Sequence, residues 1–384
     1  MSHRSSEQGY EGLRSKVREF AREEVAPLAA ESNRRGAFPY ALVETMGGMG
    51  LFGLPFPERH GGGGGDHLSL CLAVEELARV DSSVAATLSA AVSLGASPIA
   101  MFGDSEQKER WLPELCAGRA LAAFGLTEPH GGSDAGAPRT RAVEEGTEWV
   151  LDGNKSFITN SGTDITRLVT VTAVTGERAD GRPEISAIIV PSATPGLTVR
   201  EAYTKLGWRA SDTHALSLSA CRVPRGNLLG RRGRGFSQFL AVLDRSRITL
   251  AALGTGVAQG CVDEAVRHAR EREAFGARLG AHQAVRFRIA DMEARVHNAR
   301  LSYQHAASRM MRGEPFTKEA AIAKLTASEA AMDNARDAVQ VLGGQGCMDD
   351  SVVARHYRDA KILEIGEGTS EVQRMVIAHH LDLP

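Results

Sequence analysis

The chain has 384 residues, which is more than one hydrophobic core usually holds, so two or three domains are expected. Its 45 Lys and Arg residues nearly balance 47 Asp and Glu residues, and the formal net charge is −2. This near-neutral balance gives no support for binding nucleic acid or an anionic membrane surface.

The N-terminal sequence has no apolar core of signal-peptide length, and no run approaches the roughly 18 apolar residues of a membrane helix. The five cysteines are scattered and form no CxxC pair, and His379 and His380 lack a metal-binding partner motif. These features predict a soluble, cytoplasmic protein with reduced, mostly buried thiols, no membrane contact and no bound metal.

Residues 1–120 show helical periodicity and predict an N-terminal all-α domain. Apolar residues near a 3.6-residue spacing predict an amphipathic first helix, with its apolar side at Leu13, Val17, Phe20, Val25 and Leu28. Asp66 or a neighbour is expected to cap a later helix. The following stretch, 82–103, has unusually small side chains, which would let helices or a ligand approach closely.

Residues 121–232 predict a middle β domain, either a barrel or a sandwich. Short runs rich in β-branched residues follow one another and are separated by turn signals. Asp152 and Gly153 are interpreted as one such turn.

Residues 233–384 predict a C-terminal four-helix bundle. Long helical patterns cover about 235–275, 282–313 and 317–342, and a final helix is expected to start near Thr369. The glycines of GTGVAQG at 254–260 have helical pattern on both sides, so close helix packing is favoured over a dinucleotide-binding loop. The segregated elements give an α+β chain.

Five segments carry the candidate functional residues: AFGLTEPHGGSDAG (123–136), KSFITNSGT (155–163), AREREAFGARLGAHQ (269–283), AVQVLGGQG (338–346) and RDAKILEIGEGTSEVQR (358–374). In this order and spacing they resemble the acyl-CoA dehydrogenase family, of the FAD-dependent short-, medium- or branched-chain type. The resemblance runs from the first helices to the C-terminus and implies the same three-domain fold.

FAD is the cofactor that this resemblance implies. Reduction of a flavin places negative charge on N5 and the pyrimidine oxygens, so its site needs hydrogen-bond donors. The resemblance assigns the following residues to the surroundings of the flavin ring: Phe124, Leu126, Thr127, Gly132, Ser133, Phe157, Ile158, Thr159, Thr369 and Glu371. It assigns the pyrophosphate and adenosine half to residues of a neighbouring subunit in a homotetramer built as a dimer of dimers: Arg272, Phe275, Gln283, Gln340, Gly343 and Gly344.

Glu367 is the expected catalytic base. The α-proton of a thioester is weakly acidic, so its base must lie in an apolar pocket that raises the pKa of the carboxyl. On its own, a glutamate near a helix start is more often a surface charge that complements the helix dipole. The resemblance favours the catalytic role, because the alternative family position for the base is Ser246 here.

Ser133, Asp244, Arg247 and Gly368 are the substrate-binding residues that the resemblance implies, although Asp244 and Arg247 could also form an ordinary helix-surface ion pair. Gly366 occupies a position that is often aromatic in the family, so it could admit a branched acyl group. Residues 88–99 contain no Arg or Lys, which favours a monocarboxylic acyl chain. Ala274 replaces a common hydroxyl residue and leaves one FAD contact in doubt.

The implied reaction is α,β-dehydrogenation of an acyl-CoA to the trans-2-enoyl-CoA. Glu367 would take the α-proton, flavin N5 would accept the hydride, and an electron-transfer flavoprotein would receive the electrons. Two alternatives keep the fold: a dehydrogenase of acyl groups on a carrier protein in a biosynthetic pathway, and a flavin oxidase or monooxygenase. A helical interaction scaffold without activity is a further alternative.

Overall fold

The computed structural model describes residues 7–381, in which helices are followed by strands and then by helices. The first helical region comprises α1 (Glu7–Phe20), α2 (Ala26–Arg35), α3 (Tyr40–Gly48), α4 (His67–Ala78), α5 (Ser82–Ser89), α6 (Ser97–Phe102) and α7 (Ser105–Cys116). The predicted cap is confirmed, because the Asp66 carboxylate accepts the backbone N–H of Ser69 at 2.9 Å. Val17, Phe20 and Val25 are buried, but Leu28 is 46% exposed.

The helix between Ser82 and Phe102 is continuous, since a π-helical segment, Ala90–Ala96, joins α5 to α6. Within the described residues this stretch has the length and hydropathy of a membrane helix, so the prediction that no run approaches this composition is wrong. However, 78% of its apolar window is buried inside the protein, which is typical of a core helix.

The middle region forms one twisted sheet in the order β6-β7-β3-β2-β4-β5-β8, with β1 paired to β4 in parallel. Its strands are β1 (Leu121–Gly125), β2 (Arg141–Glu145), β3 (Glu148–Thr159), β4 (Thr166–Glu177), β5 (Pro183–Pro191), β6 (Leu197–Ala202), β7 (Thr213–Pro224) and β8 (Leu228–Leu229). Alternate side chains of these strands form a core of their own, which includes Trp149, Leu151, Ile158, Leu216 and Leu218.

The predicted turn at Asp152 and Gly153 is wrong, because both residues lie inside β3. The pairing of β3 with β7 shifts register between Leu151 and Gly153. The chain therefore forms a β-bulge, which adds a residue to one strand without reversing it. The Asp152 carboxylate accepts the backbone N–H of Ala220 at 2.8 Å and stabilises the irregularity.

The last region contains α8 (Gly235–Glu271), a hairpin of β9 (Glu273–Ala274) and β10 (Ala277–Arg278), then α9 (Gln283–Met311), α10 (Thr317–Leu342), α11 (Val352–Leu363) and α12 (Ser370–His379). The three long helices and the start of α12 agree with the predictions, whereas the periodicity analysis does not single out α11. Helix α10 packs against α8, α9, α11 and α12. All five cysteines are free thiols, and only Cys347 is exposed, as expected.

The glycines of the GTGVAQG segment lie inside α8, where they permit close packing as predicted. A Cβ at Gly256 would stand 2.3 Å from the Glu75 carbonyl oxygen of α4, and a Cβ at Gly254 would stand 3.0 Å from the Ala327 carbonyl oxygen of α10. These contacts bring α4 and α10 directly against the backbone of α8.

We expect Gly256→Ala to lower the free energy of unfolding by about 1–3 kcal/mol, because the added methyl group would force α4 and α8 apart. Urea unfolding followed by circular dichroism measures this change. Gly12→Ala in α1 is the control, since no atom lies within 4 Å of its Cβ position; helix propensity there favours alanine by about 1 kcal/mol. Equal stability of the two variants would contradict the proposed constraint.

Candidate active site

A pocket of about 530 Å³ lies where the sheet meets both helical regions. Its lining includes Ala86 and Ser89 of α5, Ala90 and Leu94 of the π-helical segment, and residues of β1, β3, α8 and the turn between α11 and α12. Among the residues predicted from sequence, the lining includes Phe124, Leu126, Thr127, Gly132, Ser133, Phe157, Ile158, Thr159, Arg247, Glu367, Gly368 and Thr369.

The remaining predicted residues lie outside this pocket. The Asp244 carboxylate accepts a hydrogen bond from Arg247, and Glu371 is exposed in the first turn of α12. The residues expected to serve a neighbouring subunit are exposed near the ends of the long helices: Arg272, Phe275, Gln283, Gln340, Gly343 and Gly344. Within the described part of the chain, no group of three His, Cys, Asp or Glu side chains could hold a metal ion.

A buried ion pair fixes the loop that carries Thr127 and Ser133. The Lys155 ammonium lies 2.7 Å from the Glu128 carboxylate, and both side chains are at most 4% exposed. Glu128 also accepts the backbone N–H groups of Arg139 at 2.7 Å and Thr140 at 3.1 Å. Burial tends to raise the pKa of Glu128, but Lys155 and these donors outweigh it and lower that pKa overall. The loop is thereby joined to β3.

Phe157 presents a flat apolar surface at the pocket wall. Its backbone has φ of 59°, its side chain is 66% exposed, and its ring centroid lies 5.0 Å from that of Tyr203. A left-handed conformation costs a non-glycine residue about 1–3 kcal/mol and persists only where its surroundings enforce it. An exposed aromatic ring in a strained conformation is a common feature of ligand sites.

The loop between β6 and β7 and the start of β7 add wall residues that sequence reasoning missed: Lys205 and Trp208 in the loop and Thr213 in β7. The backbone N–H of Trp208 donates to Asp359 Oδ1 at 2.7 Å, and Asp359 Oδ2 accepts the Ser82 hydroxyl at 2.6 Å. Burial and the neighbouring Asp81 raise the pKa of Asp359 to about 6. This carboxyl thus ties the sheet loop to both helical regions.

The pocket suits the expected flavin group. Phe157 offers a flat face, and the hydroxyl-bearing residues Thr127, Ser133 and Thr159 lie in the same wall. The indole N–H of Trp208 is buried and has no hydrogen-bond partner in the described structure. An unpaired buried donor is costly, so a bound acceptor would satisfy it.

Glu367 lies in the short turn between α11 and α12. Its φ of 56° and the φ of 96° at Gly368 are both left-handed, and Thr369 caps α12 by accepting the N–H of Val372 at 3.3 Å. The Gln373 amide donates to the Gly368 carbonyl at 2.8 Å. The resulting turn directs the Glu367 side chain to the pocket wall, where its Oε2 is buried without a partner.

Burial raises the pKa of Glu367 above its usual 4.5, while the nearby Ser246 hydroxyl, Lys324 and Arg247 partly oppose that rise. Arg247 Nη1 donates to Asp244 at 2.6 Å, but its buried Nε has no partner. The site therefore contains a desolvated carboxyl with hydrogen-bond donors nearby, at the edge of an apolar space. Chemically, it can accept a proton from a bound ligand and bind developing negative charge.

We expect Glu128→Gln to destabilise the protein by about 3–5 kcal/mol, because the Lys155 ammonium would remain buried without a countercharge. Denaturant unfolding measures the loss. The control is Glu145→Gln, whose carboxylate is 52% exposed in its ion pair with Arg222 and should contribute about 0–1 kcal/mol. A similar small loss in both variants would refute the role given to the buried pair.

Three family models match the chain consecutively. They are described as the acyl-CoA dehydrogenase N-terminal domain at residues 7–119, middle domain at 123–221 and C-terminal domain at 233–381.

Curated relatives match over nearly the whole chain. A probable acyl-CoA dehydrogenase YngJ of Bacillus subtilis (strain 168) is 48% identical over 96% of this chain and 97% of the relative. The mitochondrial short-chain specific acyl-CoA dehydrogenase of Mus musculus is 44% identical over 96% of this chain and 89% of the relative.

Solved structures have the same fold. Butyryl-CoA dehydrogenase from Megasphaera elsdenii is 39% identical with a TM-score of 0.94, over 99% of this chain and 100% of that chain. A chain from a study of the electron transferring flavoprotein of Acidaminococcus fermentans is 40% identical with a TM-score of 0.95, and both chains are fully covered. A glutaryl-CoA dehydrogenase from Mycobacterium smegmatis in complex with FADH2 is 29% identical with a TM-score of 0.92, over 99% of this chain and 96% of that chain.

Proposed function

Because the chain belongs to the acyl-CoA dehydrogenase family, an FAD-dependent enzyme class, we propose that it oxidises a short or branched acyl-CoA to the trans-2-enoyl-CoA with Glu367 as base. The observation that carries this proposal is the Glu367 carboxyl in the pocket wall, whose Oε2 is buried and unpaired. A base of this kind is needed to remove the weakly acidic proton beside a thioester carbonyl.

FAD, when bound, supplies the acceptor for the hydride that leaves the β-carbon of the acyl group. Phe157, Thr127, Thr159 and Trp208 would hold its ring system. Glu371 and the residues exposed outside the pocket would contact FAD as the resemblance implies, the latter from the neighbouring subunit: Arg272, Phe275, Gln283, Gln340, Gly343 and Gly344.

The protein itself supplies the proton acceptor, Glu367, and keeps it shielded from water and correctly positioned. Leu243, Leu250 and Ile362 line the same pocket and would exclude water around the acyl chain. The backbone N–H of Glu367 would bind the thioester carbonyl, and Arg247 with Asp244 would contact the CoA portion. Removing water strengthens the interaction of each donor with the developing enolate charge.

We expect Glu367→Gln to retain FAD and bind acyl-CoA but to reduce flavin bleaching by several orders of magnitude, because the amide cannot accept the α-proton. Anaerobic stopped-flow absorbance measures the reduction rate. Glu329→Gln is the control, since that carboxylate is 44% exposed and pairs with Arg374. Near-normal reduction in Glu367→Gln would reject the assignment of the base.

The acyl subsite favours an uncharged chain. Ser89, Ala90 and Gly366 give it small lining residues, and residues 88–99 contain no Arg or Lys. Lys205 also lines the pocket, but its ammonium donates to the Ser211 carbonyl and to the Thr213 hydroxyl. These features support a monocarboxylic substrate, with space for branching beside Gly366.

We expect Gly366→Tyr to reduce kcat/KM for isovaleryl-CoA at least about tenfold more than for butyryl-CoA, because the new ring would fill the space available to a branch. Steady-state kinetics with both thioesters measures the ratio. Gly226→Tyr, at an open position with no atom within 4 Å of its Cβ site, is the control. An unchanged ratio in Gly366→Tyr would remove the proposed selectivity.

We further propose an electron-transfer flavoprotein as electron acceptor, a homotetramer as the assembly and the cytoplasm as location. The electron acceptor is supported by the similarity to a chain from the Acidaminococcus fermentans flavoprotein study. Large apolar side chains exposed on the C-terminal helical region support self-association; examples are Phe275 at 97%, Phe287 at 61% and Met375 at 70% exposure.

A further inference from the structure

Lys324 is a completely buried lysine next to the turn that contains Glu367. It lies on α10 and is 0% exposed, and its ammonium donates to the Gly368 carbonyl at 2.8 Å. A buried ammonium is expensive unless an anion and hydrogen bonds compensate for its desolvation. Lys324 is outside the group of residues that line the pocket, so substrate contact does not explain it.

We propose that Lys324 is a positioning residue for Glu367, holding the turn through Gly368 and keeping a positive charge beside the carboxyl. This inference rests on the proposed function in one respect, the use of Glu367 as base. The chemistry requires a carboxyl that is shielded from water and yet ionised, and a buried cation near it but outside the pocket lining favours the ionised form.

The hydrogen bonds show how α10 holds the turn. Ser328 and Lys324 are one helical turn apart and therefore share a face of α10. The Ser328 hydroxyl donates to the Leu363 carbonyl at 3.0 Å, where α11 ends, and Lys324 donates to Gly368, just before α12 begins. One helix thus holds both ends of the strained segment that contains Glu367.

The charges around the carboxyl favour Lys324 as its compensating cation. Arg247 of α8 and Lys324 of α10 both lower the pKa of Glu367, against the effect of burial. Glu367 is in turn the strongest charge that stabilises the Lys324 ammonium, with smaller contributions from Glu364 and Glu371 and an opposing one from Arg247. Burial nevertheless lowers the pKa of Lys324 to about 8, so the ammonium is protonated through neutral pH.

The two cations differ in their other partners. Arg247 already forms a 2.6 Å ion pair with Asp244, whereas the hydrogen bond of Lys324 goes to an uncharged carbonyl. The Arg247 charge is therefore partly neutralised by its own partner. The Lys324 charge is less compensated and therefore acts more strongly on Glu367. Removing Lys324 should change the ionisation of the base more than removing Arg247 would.

The test is the pH dependence of kcat in Lys324→Met. The base must be ionised to react, and its ionisation sets the acid limb of the profile. Loss of a neighbouring opposite charge should move that limb upward by about 1–3 pH units. Lys324→Gln keeps a hydrogen-bond donor without the charge and should show the shift even if Lys324→Met folds poorly.

Two controls separate charge from general disruption. Lys324→Arg keeps the cation and should leave the acid limb close to its wild-type position. Lys318→Met removes a half-buried lysine of the same helix, which pairs with Glu319, and should also leave it unchanged. An acid limb that stays at the wild-type pH in both Lys324→Met and Lys324→Gln overturns the proposal.

A double-mutant cycle in thermal unfolding tests the same pair without any turnover. The loss in Tm for Lys324→Met with Glu367→Gln should be smaller than the sum of the single losses, because removing both partners leaves no buried charge unpaired. Additive losses oppose the inference. If the wild type fails to oxidise any acyl-CoA, the proposed function fails, while this cycle still decides whether the two side chains are coupled.

Discussion

The left-handed backbone at Glu367 and Gly368 lies between the end of α11 at Leu363 and the start of α12 at Ser370, and it places a carboxyl at the edge of an apolar space. Strain at Glu367 costs about 1–3 kcal/mol, so the surrounding structure must enforce it. The Gln373 amide and the Lys324 ammonium both reach the Gly368 carbonyl at 2.8 Å and stabilise this turn.

Two opposing electrostatic requirements meet at this turn. An apolar wall makes the carboxylate a stronger base, because it raises the pKa of Glu367. If desolvation acted alone, the group would simply hold its proton. Nearby Arg247 and Lys324 oppose that effect, and each pKa unit corresponds to about 1.4 kcal/mol of differential stabilisation. The balance between apolar residues and buried cations is therefore what would suit Glu367 to the proposed proton abstraction.

Local sequence patterns predicted the order of helices, strands and helices, because the spacing of apolar residues along an element reflects which of its faces is buried. They did not find Trp208 or Lys324, since contacts between distant segments are what bring Trp208 to the pocket and Lys324 to the turn that contains Glu367. A tryptophan in the polar loop before β7 is the local signal that could have indicated a site there. Asp152 and Gly153 have turn chemistry, but long-range pairing of β3 with β7 converted that signal into a bulge.

Apart from Glu371, the residues expected around the flavin ring line one pocket, because the ends of β1 and β3, the loop after β1 and the turn before α12 meet there. The group expected to bind the adenosine half is exposed in the single chain. Motif and spacing identify the flavin-ring residues and the adenosine-half residues equally well, because they carry no information on which subunit a side chain will face. Their roles remain predictions that depend on assembly.

The π-helical segment Ala90–Ala96 contains two of the residues that line the pocket, Ala90 and Leu94. A wider turn accommodates an extra residue, and each residue in a helix rotates the following side chains by about 100°. The faces of α5 and α6 are thus offset from the phase that one uninterrupted α-helix would give them. Deleting a single residue there would rotate everything downstream, so the shape of the cavity depends on helical phase as much as on side-chain size.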